Sequence, residues 1–246
     1  MRAWKSLLAA AAAVVVVGAG AYFSAVSAGS HPAASAASAG EEVTIAHGDS
    51  ILPSVLPVDW ASYADHVAEV KLVSEQEIPA SAEEVQAGEG YIGRSGTLAI
   101  QRVLWSREGS APLPSSVTME LAGWQFSGSE RGRIAPDDSS RIESGHTYLM
   151  ALSHYSTGWG PLGPGGTLPY DEGVIGQGES QGTARTLDAA RAAASEDDDS
   201  MAARVVGQPA DALVALLKAT APDPKAAEHR DLPADERWEQ VNGPVE

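Results

Sequence analysis

Alternating apolar and polar positions predict a β-domain in the middle of the chain. The segment HVAEVKLVSEQ, residues 66–76, places Ala68, Val70 and Leu72 on one face and charged side chains on the other. Alternation with a period of two residues is typical of a strand with one buried face. We therefore expect residues 66–76 to form a strand that covers the core.

Further strands follow from the same pattern. Residues 97–105 (TLAIQRVLW) predict a second strand, and the shift in its apolar order at Arg102 indicates a bulge. Residues 117–121 (VTMEL) alternate cleanly, and residues 174–175 predict a short strand. The polar, Gly-containing residues 79–95 and the polar residues 128–140 predict loops. Residues 148–152 (YLMAL) are apolar throughout, which is typical of a central strand that is buried on both faces.

The pattern changes after residue 180 to an Ala-rich and acidic segment. Residues 209–221 predict a helix, because Pro stands at its start and Leu213, Leu216 and Leu217 share one apolar face. Asp59 is a candidate cap for a short helical turn before the first strand. The middle of the chain is thus predicted to be mainly β, with an added C-terminal helix.

The N-terminal residues predict export. Residues 7–23 contain no charge, two basic residues precede them, and small residues end the segment at Ala28. This arrangement predicts either a signal peptide cleaved after Ala28 or an N-terminal membrane anchor over residues 1–28. In both cases the N-terminus starts in the cytoplasm and the domain lies outside, either secreted or anchored to the cytoplasmic membrane. Residues 29–57, small and polar at first, predict a flexible spacer and lead-in.

Charge and cysteine content remove several classes of function. The formal net charge is −17, which disfavours nucleic acid and anionic lipid as partners. The chain has no cysteine, and this excludes disulfides, thiolate metal sites, cysteine nucleophiles and a lipoprotein anchor. Arginine outnumbers lysine and alanine is abundant, a bias typical of a high-GC bacterial genome.

The order of the strand segments resembles a known group of proteins. The segments are Tyr-Ala-Asp at 63–65 followed by 67–73, then 100–104, 117–119 and 145–152. They resemble uncharacterised exported bacterial proteins of actinobacterial type. The resemblance covers residues 58–180 and implies a small OB-like or netrin-like β-barrel, followed by residues 181–246 with the helix. It includes no catalytic motif, and the N-terminal cysteine of netrin-like metalloproteinase inhibitors is absent.

The Gly- and Pro-rich residues 158–180 contain three carboxylates, at Asp171, Glu172 and Glu179. Together with backbone carbonyls these are oxygen ligands that suit calcium, although the spacing matches no EF-hand loop. The alternative is a tight turn in which Asp171 accepts turn hydrogen bonds and Gly173 supplies the positive φ. Both interpretations stay open from the sequence.

Three tryptophans are candidate ligand-binding residues: Trp105, Trp124 and Trp159, all near strand ends or in loops. Exposed aromatic rings there can stack on sugar rings or contact a protein partner. The alternative is that they cover the ends of the barrel. His146 and His154 lie too far apart along a strand to bind one metal ion.

Residues 44–52 (TIAHGDSIL) resemble the nucleophile block of GDSL-type esterases, with Ser50 as the nucleophile. Pro53 and Pro57 oppose the helix that should follow, and no Asp-x-x-His motif supplies a base. Two functions therefore remain. The first is an exported, non-enzymatic envelope domain without a cofactor that binds a protein, a cell-wall glycan or a small ligand. The second is a hydrolase or a calcium-binding module.

Overall fold

The computed structural model describes residues 43–47, 52–194 and 199–243, and they form a mainly β structure. The strands are β1 (Val43–Ala46), β2 (His66–Ile78), β3 (Glu89–Ser106), β4 (Ser116–Ser127), β5 (Glu130–Pro136), β6 (Tyr148–Tyr155), β7 (Gly158–Pro161), β8 (Thr167–Pro169), β9 (Gly178–Ser180) and β10 (Thr183–Arg185). The α-helices are α1 (Pro57–Tyr63), α2 (Ala82–Ala87), α3 (Leu187–Ala194), α4 (Met201–Val205), α5 (Ala210–Ala219), α6 (Pro224–Glu228) and α7 (Ala234–Asn242).

One large sheet holds most of the strands. Its order is β1-β5-β4-β3-β2-β6-β7, and β8 pairs with β6 at a second place along that strand. The pairs are antiparallel except for β1 with β5, and β9 and β10 form a separate hairpin. β4 also lies against β7. Among the described strands no hydrogen-bonded pair joins the two ends of the sheet, and no closed barrel is present.

The sheet separates two apolar cores. On β6, Leu149 and Ala151 pack in the core that the sheet shares with the helices, and Tyr148, Met150 and Leu152 pack in the core on the other face. All five side chains are fully buried. The prediction that residues 148–152 form a central strand buried on both faces is therefore confirmed.

The expected features of β2 and β3 are present. Ala68, Val70 and Leu72 are buried on one face of β2, as the alternation predicted. Two of the three register shifts between β2 and β3 lie between Val67 and Ala68 and between Glu69 and Val70. Each of these two shifts leaves one extra residue on β3, in the region of the predicted bulge.

Three predictions about strands and loops were wrong. Residues 174–175 form no strand, and the chain makes the β9–β10 hairpin a few residues later. Residues 79–95, expected to be a loop, contain α2 and the first seven residues of β3. Much of residues 128–140, also expected to be a loop, belongs to β5, whose charged sequence ERGRIAP lacks the apolar alternation that marks a strand.

Helices pack on one face of the sheet. α1 begins at Pro57 with Leu56 at its N-cap, so Asp59 lies in the first turn and the prediction that it caps the helix was wrong. The Asp59 carboxylate instead reaches back and accepts the Leu56 backbone N–H at 2.8 Å. α1 lies against α5, α6 and α7. The predicted helix is α5, whose Leu213 and Leu217 are buried in the shared core.

No helix in the described ranges is long and apolar enough to span a membrane. The predicted signal or anchor over residues 1–28, most of the spacer and the candidate nucleophile Ser50 lie outside the described residues.

Candidate ligand-binding site

The carboxylate of Asp171 joins two segments of the chain. His146 Nδ1 lies 2.5 Å from Asp171 Oδ2, and the Thr147 backbone N–H donates to Asp171 Oδ1 at 2.8 Å. A carboxylate accepts hydrogen bonds only, and His146 Nδ1 is therefore the donor in this pair. Asp171 holds the start of β6 in place.

Residues 171–173 form the expected tight turn as a single 3-10 turn, with Gly173 at φ 76°. Glu172 also adopts a positive φ, and its carboxylate accepts a hydrogen bond from Gln177 Nε2 at 2.9 Å. The turn is closed by the Val174 backbone N–H, which donates to the Asp171 carbonyl at 3.1 Å. The Asp171 carboxylate bonds to residues 146–147 and not to the turn backbone as predicted.

Glu179 lies apart from this turn and is only 2 % exposed. Its Oε1 accepts the backbone N–H groups of Arg141 (3.0 Å) and Gly182 (2.7 Å). Its Oε2 accepts the Ile142 N–H at 3.0 Å and the Tyr148 hydroxyl at 2.8 Å. Consecutive N–H groups around a residue with positive φ, here Ile142 at 63°, form an anion-binding nest, and Glu179 occupies it.

The three acidic residues proposed for calcium therefore have separate partners. Across the described ranges, no three His, Asp or Glu side chains lie close enough to hold one metal ion. The calcium site stays a prediction.

Buried arginines hold the segment that joins β5 to β6 (residues 137–147). Arg94, 1 % exposed, donates from Nη2 to the carbonyls of Arg141 (2.6 Å) and Ile142 (2.9 Å). Its Nη1 donates to Glu75 at 2.8 Å. The Arg141 guanidinium contacts Glu143 and donates to the carbonyls of β4 and β5. Burial lowers the pKa of Arg141, and Glu143 opposes that shift.

The candidate tryptophans lie in three different environments. Trp105 packs, partly buried, against the core shared with the helices, and Trp159 packs against the other core. The Trp159 ring centroid lies 5.4 Å from that of His66 and 5.1 Å from that of His154. Trp124 has three guanidinium groups near its ring, of which that of Arg131 is 3.8 Å from the centroid.

A cavity of about 800 Å³ lies where the sheet, the 137–147 segment and the helices meet. None of the three tryptophans lines it. Its apolar wall comes from residues distant in sequence: Leu52, Val55, Leu168, Ile175, Val206 and Trp238. A volume of this size with a mostly apolar lining is typical of small-molecule sites.

Polar groups line the same cavity. They include the side chains of His47, Asp137, Asp138 and Arg185. Asp137 Oδ2 lies 2.8 Å from His47 Nδ1, and Asp137 Oδ1 accepts from Gln181 Nε2 at 3.1 Å. The Asp138 carboxylate is exposed. Two consecutive acidic residues thus line the cavity, and their charge favours a cationic group there.

Sequence reasoning missed this cavity because its lining comes from at least five separate segments. The one local signal is the polar run Asp-Asp-Ser-Ser at residues 137–140, which predicts only a loop. The aspartates of that run are cavity-lining residues.

Comparison of the chain with protein-family models, with curated proteins and with solved structures finds no match in any of the three. The fold and the cavity therefore define the class of the protein only as a mainly β domain with C-terminal helices.

Proposed function

We propose that the chain is an exported, non-enzymatic binding domain that takes a small ligand in the cavity of about 800 Å³. The export part of this proposal rests on residues 1–28, whose pattern is typical of a signal peptide or an N-terminal anchor. The binding part rests on the cavity, because its apolar wall can bury the body of a ligand and its acidic wall can orient a polar end.

The lining favours a ligand with an apolar body and a cationic end. Asp137 and Asp138 supply two carboxylates and Arg185 one guanidinium, within a chain of net charge −17. The cavity thus attracts cations more than anions. A cell-wall glycan is the weaker candidate, since the tryptophans expected to stack on sugars do not line the cavity.

The OB-like or netrin-like character of the domain belongs to this proposal as well. It is supported by the consecutive antiparallel strands β2 to β5 and by the approach of β4 to β7. OB-folds are partly open barrels of antiparallel strands, and we infer that this sheet is related to them.

Thermal unfolding with defined probes tests the function. We expect octyltrimethylammonium, an apolar cation, to raise Tm, and octanoate or chitotriose to raise it less. A ligand at about 100 times its Kd stabilises by about 2.7 kcal/mol. Changing Asp137 and Asp138 to Asn should reduce the shift with the cation, while Asp211→Asn, an exposed change on α5, should leave it unchanged. Equal shifts in both variants, or none with any probe, would refute the proposal.

A hydrolase is the second candidate, and one observation favours it. The pair His47–Asp137 has the spacing of a base and its orienting carboxylate, and His47 precedes Ser50 by three residues. The hypothesis requires Ser50 Oγ within hydrogen-bond distance of the His47 ring. Hydrolysis of p-nitrophenyl acetate that is lost in both Ser50→Ala and His47→Ala would establish it. If the chain has no such activity, the hypothesis fails.

A further inference from the structure

A second apolar depression lies at the far end of the long strands β2, β3 and β4. We call it the tip groove, and it is lined by Glu77, Pro79, Ala80, Val85, Ile92 and Phe126. Its volume is about 290 Å³, and it shares no lining residue with the larger cavity. The Val85 side chain is 64 % exposed and neighbouring Ile78 is 37 % exposed. Adjacent exposed apolar side chains around a depression are typical of an interaction surface.

Local hydrogen bonds fix the shape of the tip groove. Ser81 caps α2, and the Glu84 carboxylate accepts from the Ser81 N–H and hydroxyl, both at 2.8 Å. The same carboxylate accepts the Tyr91 N–H at 3.0 Å, which ties α2 to β3. The Gly128 N–H donates to the Gly88 carbonyl at 2.7 Å and joins the β4–β5 turn to the end of α2. A preformed surface of this kind loses little entropy on binding.

The segments that form the tip groove are rich in acidic residues. Residues 77–92 contain four glutamates and no basic residue, and residues 124–131 add Glu130 and Arg131. Arg131 is already paired with Glu77 at 2.6 Å and stacks on Trp124. The rim is therefore strongly negative. A second copy of this chain, at net charge −17, is repelled there, and so is an anionic membrane.

We propose that the tip groove docks a basic protein segment that inserts one or two apolar side chains between Val85, Ile92 and Phe126. The apolar floor supplies the burial, and the glutamate rim attracts lysine or arginine side chains that flank the anchor. This inference goes beyond the small-ligand function, because it concerns a different surface and a macromolecular partner.

Fluorescence anisotropy on the full-length chain tests the proposal with a defined probe. The probe is a fluorescein-labelled heptapeptide in which lysines alternate with leucines. Two control peptides replace the lysines with glutamates or the leucines with serines. We expect the first peptide to bind and both controls to bind at least tenfold more weakly. Its Kd should rise with salt, because exposed charges are screened beyond about 10 Å at 0.1 M ionic strength.

A matched pair of variants locates the binding surface. Val85→Ser removes the exposed apolar residue of α2, a helix that contains no buried residue, and should raise Kd about fivefold to tenfold. Val73→Ser changes an equally exposed valine (59 %) outside the groove and should leave Kd within about twofold.

A second pair separates the role of the acidic rim from that of overall charge. Changing Glu83 and Glu89 to Gln should weaken binding and reduce its salt dependence. Changing Glu108 and Glu228 to Gln, two exposed positions away from the tip, removes the same charge and should have little effect.

Three results would overturn the proposal. In the first, Val85→Ser binds the lysine–leucine peptide as tightly as the unaltered chain does. In the second, the glutamate control peptide binds as tightly as the lysine–leucine peptide. In the third, the lysine–leucine peptide does not bind at about 1 mM. If circular dichroism shows that Val85→Ser does not fold, methyl NMR of the unaltered chain tests the proposal instead. Shifts on peptide addition must then fall on Val85 and Ile92 and leave Val73 unchanged.

Discussion

The Tyr148 hydroxyl donates to Glu179 Oε2 at 2.8 Å, and this buried bond joins β6 to the β9–β10 hairpin. Tyr148 is fully buried and accepts the Glu143 N–H at 2.8 Å, and its hydroxyl is thus satisfied on both sides. Only the protonated tyrosine can donate to the carboxylate. Burial, with the charge of Glu179 adding to it, raises the pKa of Tyr148 well above its ordinary value of 10.0.

Because of this arrangement, the free energy of unfolding should change with pH in the alkaline range. Above about pH 10 a tyrosine in the unfolded chain loses its proton while Tyr148 in the folded chain keeps it. The unfolded state then binds fewer protons, and the free energy of unfolding falls as pH rises. Below that pH the contribution is fully present. Tyr155, whose pKa burial also raises, acts in the same direction.

We expect Tyr148→Phe to lower the free energy of unfolding at pH 7 by about 1.5–3 kcal/mol, because a hydrogen bond to a charged group is lost. Between pH 10 and 11 the variant should lose about 1 kcal/mol less than the unaltered chain. Urea unfolding at several pH values measures both quantities. An unchanged slope with pH would show that Tyr148 ionises normally in the folded chain.

Arg94 should be essential for stability, since it holds the segment over residues 137–147 to the sheet. Arg94→Met leaves the carbonyls of Arg141 and Ile142 and the Glu75 carboxylate without this donor. We expect a loss of about 3–5 kcal/mol in urea unfolding. Arg102→Met is the control.

In that control, the arginine side chain is 55 % exposed and pairs with Glu69 at 3.3 Å on the surface. Exposed pairs contribute about 0–1 kcal/mol. If the Arg94 and Arg102 variants lost similar stability, the buried contacts of Arg94 would not be the reason.

Arg237 connects α7 to the start of β2. It is fully buried and donates to the carbonyls of Ser62 (2.7 Å) and Leu232 (3.1 Å), and its Nη2 lies 3.5 Å from Asp65 Oδ1. Arg237→Met should therefore lower Tm markedly and expose α7 to proteolysis. Arg230→Met, at an exposed position between α6 and α7, should behave like the unaltered chain in both assays.

Calcium provides a test of the acidic turn. The geometry predicts no calcium-dependent rise in Tm, because Asp171 is bonded to His146 and Thr147, and Glu179 accepts four hydrogen bonds. A rise that disappears when Asp171 and Glu172 are changed to Asn and Gln would establish the calcium site predicted from the sequence.

Several elements were determined by local sequence alone. The strand over residues 148–152, the apolar face of β2, the helix α5 and the turn at residues 171–173 all follow from side-chain periodicity or turn chemistry. These signals depend on neighbours within a few residues, and a single sequence therefore contains them.

Only the tertiary structure decided the rest. Glu179 and Arg94 appear in the sequence as ordinary polar residues, yet each is at most 2 % exposed. Their burial is possible because donors and acceptors from segments about forty positions away surround them. β5 forms without apolar alternation because β4 and β1 pair with its backbone. The cavity and the tip groove likewise exist only where distant segments meet, and no local pattern encodes such a meeting.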